Sequence, residues 1–129
     1  MLRGTLACGV ALAAAGLVLT GPAAYADNDL RAPYARAAAI VDADGHLNNG
    51  KNVDKTWRAG TGRYCVRLDD RVDAGGAVIQ ITPRNALRLP HIAYRNKSWT
   101  CHEDNTITVN VYSTSTGRLA DGGFDLTIA

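Results

Sequence analysis

The chain has 129 residues, with 14 Lys and Arg against 12 Asp and Glu and a net charge of +2. That length suits one domain and leaves no room for two. The acids and bases are interspersed, so the chain carries no basic footprint for nucleic acid or for an anionic membrane surface.

In chain order, the first element reads as an export segment. Arg3 is the lone charge ahead of an Ala-, Leu- and Val-rich run from Leu6 to Leu19. Ala24-Tyr25-Ala26 follows, and Asp27-Asn28-Asp29 is abruptly polar. A charged start, an apolar middle and an A-x-A site predict a secretory signal peptide over 1–26. The apolar run is too short for a comfortable membrane span of ~20 residues. Cys8 leaves with the leader, and Cys65 and Cys101 remain. In an oxidising compartment such a pair predicts one disulfide, worth about 4 kcal/mol in chain-entropy terms.

Residues 27–36 contain Pro33 and little hydrophobic pattern, and predict an extended N-terminal arm ahead of a β-sandwich domain over 37–129. Ala37 to Val41 reads as a short strand, closed by a turn at Asp42-Ala43-Asp44-Gly45. Asn48-Asn49-Gly50 reads as a second turn. Val53, Lys55 and Trp57 alternate with Asp54, Thr56 and Arg58 in a strand, and Gly60-Thr61-Gly62 predicts a tight connection. From Arg63 to Asp69 the alternation is clearest, with Tyr64, Val66 and Leu68 on one face and Arg63, Cys65 and Arg67 on the other. Cys65 is thereby placed off the core, so the bridge should staple the outer face of a sheet or tie a loop across it. Ala77 to Thr82 reads as a strand stopped by Pro83. Arg84 to Pro90 has no decided form, His91 to Ala93 is a short strand, and Asn96 to Asn105 is a polar loop carrying Trp99 and Cys101. Thr106 to Tyr112 and the Phe124-x-Leu126-x-Ile128 tail are the last strands. Short strands with turn signals between them predict an all-β fold, a small antiparallel sandwich or barrel.

Few patterns carry chemistry. His91, Cys101, His102, Glu103 and Asp104 have no metal-ligand spacing, and the disulfide claims Cys101. Asp42-Ala43-Asp44-Gly45 resembles the opening of a calcium loop, but the distal Glu that such a loop needs is missing, so a turn with Asx hydrogen bonds is expected. No G-x-S-x-G or acid–base pair announces a nucleophile or a glycosidase. The expectation is a protein that is not an enzyme and takes no cofactor or metal. Tyr64 is expected in the core, in phase with Val66 and Leu68. The pattern leaves Trp57 and Trp99 divided between core and contact surface.

The stretches A-A-I-V-D-A-D-G-H-L at 38–47, G-T-G-R-Y-C-V-R-L-D at 60–69, T-V-N-V-Y at 108–112 and T-G-R-L-A-D-G-G-F-D-L at 116–126 resemble small secreted β-domain proteins of actinomycetes. Among these the chain is similar to the adaptor subunits of the umbrella toxin particles of Streptomyces. That resemblance implies a secreted, non-catalytic adaptor joining trypsin-like, lectin-bearing subunits to a large repeat-containing toxin subunit. It also implies that an N-terminal arm enters a partner's cleft. In this chain the arm would be 27–36, with Arg31 or Arg36 as basic anchor; Tyr34, between Pro33 and two arginines, is the residue expected to anchor it. Two other functions stand beside it. In a secreted serine-protease inhibitor, Arg84, Arg88 or Arg31 would fill a trypsin-like pocket. The other is a small cell-wall-active enzyme.

Overall fold

The computed structural model describes residues 30–129 except Leu87, Leu89, Asn96 and Lys97, and gives only the backbone of Ala93–Arg95. The expected signal peptide and residues 27–29 of the arm lie outside the described residues. Among the described residues eight strands form: β1 (Ala37–Val41), β2 (Leu47–Lys51), β3 (Val53–Gly60), β4 (Arg63–Leu68), β5 (Ile79–Arg84), β6 (His91–Arg95), β7 (Thr106–Tyr112) and β8 (Gly123–Ile128). Every pairing is antiparallel. One sheet has the order β2-β1-β8-β5, the other β3-β4-β7-β6. Of the antiparallel sandwich and the barrel that the pattern allows, the two four-stranded sheets make the sandwich.

Period-2 alternation makes the two layers adhere. Ala37, Ala39 and Val41 on β1, with Phe124, Leu126 and Ile128 on β8, face Tyr64, Val66 and Leu68 on β4 and Ile107, Val109 and Val111 on β7. All are buried. Each large aliphatic or aromatic side chain so removed from water contributes about 1.5–3 kcal/mol. The Tyr64 and Phe124 rings meet edge to face across the layers, with centroids 5.4 Å apart. Small Ala residues on β1 let the edge hairpin lie close to the core.

Three local expectations are corrected. Asn48-Asn49-Gly50 is strand rather than turn, forming the middle of β2 at the sheet edge. The tight reversal comes two residues later, at Asn52 with φ +54°. Pro83 does not stop β5 but lies inside it, opposite Phe124. Among the described residues β5 pairs only with β8, and an edge strand tolerates a residue with no N–H. On β3 a register shift between Val53 and Lys55 breaks the simple alternation. Val53 packs against the core, Thr56 donates to the Gly45 carbonyl at 2.8 Å, and Trp57 stands opposite outward-facing Cys65.

The Asp42–Gly45 turn forms as an Asx turn. Asp44 Oδ1 accepts from the His46 N–H at 3.0 Å, and Asn48 Nδ2 donates to the Asp42 carboxylate at 3.3 Å. Gly45 has φ +91°, and a Cβ there would stand 2.4 Å from the Arg58 nitrogen, so only glycine fits. The loop from Asp69 to Val78 tucks Val72 and Ala74 into the core. Asn105, itself at φ +56°, fastens it by donating to the Asp69 and Val72 carbonyls at 3.2 and 2.7 Å and accepting from the Ala74 N–H at 2.9 Å.

Candidate functional site

Three surface regions hold the residues singled out by sequence. The first is the arm. Leu30–Arg36 joins neither sheet, and it carries a turn in which the Ala35 N–H donates to the Ala32 carbonyl at 3.2 Å. Pro33 occupies the second turn position, where its fixed φ is favourable. Tyr34 follows at the tip and is 96% exposed. The base of the turn is fastened by contacts distant in sequence. Lys51 Nζ donates to the Ala32 carbonyl at 3.0 Å. The Arg36 N–H donates to the Ile128 carbonyl at 2.8 Å, and Asn52 Nδ2 donates to the Arg36 carbonyl at 2.7 Å. Arg31 and Arg36 are exposed on either side. Arg31, Tyr34 and Arg36 thus occupy one short segment, raised off the edge of the β2 sheet.

The second region is the outer face of the β3-β4-β7-β6 sheet, crossed by the loop that precedes β7. Cys65 and Cys101 form the disulfide, with Cα atoms 5.6 Å apart. Both are fully buried yet stand apart from the core cluster. The bridge therefore staples the outer face, as the pleat of β4 required. Ser98 Oγ and the buried Thr108 Oγ1 share a hydrogen bond of 2.8 Å, and the Cys101 N–H donates to Ser98 Oγ at 3.2 Å. Lys55 and Arg67 flank Glu103, at 3.1 and 3.9 Å, and Lys55 also lies 4.9 Å above the Trp57 ring. The structure separates the two tryptophans. Trp57 is half-buried on the sheet, whereas Trp99 is 88% exposed at the loop tip.

The third region is the end of the sandwich where the β3–β4 hairpin meets the loop after β7. Asp121 Oδ1 accepts from the Gly62 N–H at 2.7 Å and from Arg58 Nε at 3.0 Å. Tyr64 Oη donates to the Ala43 carbonyl at 2.7 Å and accepts from the Gly122 N–H at 3.0 Å. The Arg58 hydrogen bond, with help from the Gly62 N–H, holds the Asp121 carboxyl below the usual carboxylate range. Burial pushes the Tyr64 phenol up, and the Gly122 N–H opposes it. A cleft of about 410 Å³ opens beside this network, lined in part by Arg84, Arg88, Tyr112 and Ser113. Arg84 Nε pairs with Asp125 at 2.6 Å, and Arg88 donates to Ser115 Oγ at 3.1 Å.

Among the described residues no three His, Cys, Asp or Glu side chains gather into a metal-binding group. His91 reaches instead toward the Tyr112 ring, with centroids 6.2 Å apart, and Glu103 toward Lys55. Sequence reasoning missed Lys51 and Asn52, the side chains that fasten the arm. Nothing local marks them, because their partners lie 16 to 19 residues away. No protein-family model matches the chain, and no curated protein or solved structure matches it.

Proposed function

We propose that the chain is an exported, non-catalytic adaptor that joins other secreted proteins, with residues 27–36 as a docking element. The observation that carries this reading is Tyr34, an almost wholly exposed aromatic ring on a turn whose base is hydrogen-bonded to the sandwich. An aromatic so placed in water gains by insertion into a partner's pocket. Because Lys51, Asn52 and Ile128 already hold the base, less of the ordering cost remains to be met at binding. Arg31 and Arg36 beside the ring suit a cleft with acidic walls. The disulfide is compatible with an oxidising, extracellular setting.

The resemblance to umbrella toxin adaptors supplies the partner classes, a trypsin-like lectin subunit and a large repeat-containing toxin subunit. The test is capture of secreted partners from culture supernatant by tagged wild type, by a form lacking residues 27–36 and by Tyr34→Ala. Wild type should recover partners, and Tyr34→Ala should weaken recovery by about thirtyfold, as expected for an anchor residue. Equal recovery by the truncated form would remove the arm from the interface.

A further inference from the structure

The outer face of the β3-β4-β7-β6 sheet holds a second group of residues that the adaptor reading does not use. Trp99 is 88% exposed but not loosely held. Ser98, immediately before it, is bonded to Thr108 on β7, and Cys101, two residues after it, is tied to Cys65 on β4. The ring is therefore presented to solvent by a loop clamped on both sides. Leaving a Trp ring in water forgoes one of the largest burial gains available to a side chain.

Beside the ring lies a cavity of about 140 Å³, lined by Arg63, Trp99, Thr108, Asn110 and Tyr112 with Ser98 and Thr100 of the loop. Its volume falls well below the ~300–1,000 Å³ of pockets for drug-sized ligands, which suits a single small ring. The register explains the grouping. Arg63 on β4 stands directly opposite Asn110 on β7, and Thr108 and Tyr112 share the outward face of β7 with Asn110. Among the described residues, none of the side-chain polar groups of Arg63, Trp99, Asn110 and Tyr112 has a hydrogen-bond or ion-pair partner. Among the described residues the lining has one cation and no carboxylate.

An aromatic plane, an amide that both donates and accepts, a phenol and an unpaired guanidinium around a ring-sized hollow together specify a ligand class. We infer that this hollow is a binding subsite for an acidic sugar, a pyranose carrying a carboxylate. The sugar's C–H face lies on the Trp99 ring, where the apolar edge of the ligand meets the negative face of the indole. Asn110 and Tyr112 address the hydroxyls. The Arg63 guanidinium takes the carboxylate, with a fork geometry that matches it. This site is separate from the arm and does not depend on the adaptor reading.

The test is a titration of the purified protein with methyl β-D-glucuronide and, as the neutral counterpart, methyl β-D-glucoside. It is followed by two-dimensional amide and indole NMR. The glucuronide should shift the Trp99 indole and Asn110 side-chain signals saturably, and at least about tenfold more tightly than the glucoside. Trp99→Ala should abolish the response. Arg63→Gln should make the two sugars equal. Both replaced side chains are exposed, so the remaining spectrum reports an intact fold. No shift with either sugar up to about 50 mM, equal shifts with both in wild type, or a response that survives Trp99→Ala would each overturn the assignment.

Discussion

Replacing both Cys65 and Cys101 by Ala tests the structural element on which the outer-face loop depends. The bridge spans 36 positions, and closing a loop of that length restrains the unfolded chain by about 4 kcal/mol in the chain-entropy model. Both sulfurs are fully buried, so their removal adds a packing loss of about 1 kcal/mol. The expected destabilisation is thus about 5 kcal/mol, against a total of roughly 5–15 kcal/mol for a domain of this kind. At ~4–8 °C per kcal/mol for 60–100 residues, the melting temperature should fall by at least about 20 °C. Urea titration of wild type and variant measures the loss directly. The variant's denaturant slope should also rise, because its unfolded chain is less restrained and exposes more surface. A loss below about 1 kcal/mol with an unchanged slope would refute the reasoning. It would mean that the bridge restrains the unfolded chain far less than the chain-entropy model supposes.

Two further outcomes follow from the same structure. Gly45→Ala should cost about 3 kcal/mol or more, since the new methyl meets the Arg58 backbone and the residue must keep φ +91°; thermal melting checks this, and a change under about 1 kcal/mol would show that the Asx turn relaxes freely. Asp121 has a folded-state pKa below its unfolded value, so its contribution is present above the ordinary carboxylate pKa of about 3.9 and is lost as pH falls through the depressed folded value. Asp121→Asn should therefore weaken the protein at neutral pH and flatten the acid limb of the stability curve, measured by urea midpoints from pH 7 to pH 2; an unchanged acid limb would place the dependence on another carboxylate.

Elements whose signal is local were legible from the sequence. On β4 and β7 the alternation of apolar and polar residues assigned the buried faces, and with them the outward direction of Cys65, because the pleat leaves no other choice. The Asp42–Gly45 turn was legible because its Asx hydrogen bonds span only a few residues. β2 was not legible. Asn and Gly favour turns in isolation, and only pairing with β1 at the sheet edge overrides that preference. Pro83 misled for the same reason, since edge position is a property of topology. The side chains that make the surface regions specific were further out of reach. Lys51 finds the arm's carbonyls, and Asn110 comes to face Arg63, only once the strands are in register.

The arm and the Trp99 loop draw on different parts of the sandwich. The arm is fastened where β2 ends, β3 begins and β8 ends, through Lys51, Asn52 and Ile128. The Trp99 hollow lies at Arg63 and Asn110, on the half of β4 remote from Leu68, which pairs with the start of β3. Among the described residues no side chain is shared between the two groups. Groups with no common partner act additively to within a few tenths of a kcal/mol. Loss of one proposed activity should therefore leave the other readable in the same purified protein. If the arm docks a protein as proposed, the Trp99 hollow, lined by other residues, stays open to a second ligand. That arrangement needs no conformational signal between the two, only a sandwich stiff enough to keep them apart. The interdigitated β1, β4, β7 and β8 side chains supply that stiffness, because a close-packed core does not deform continuously.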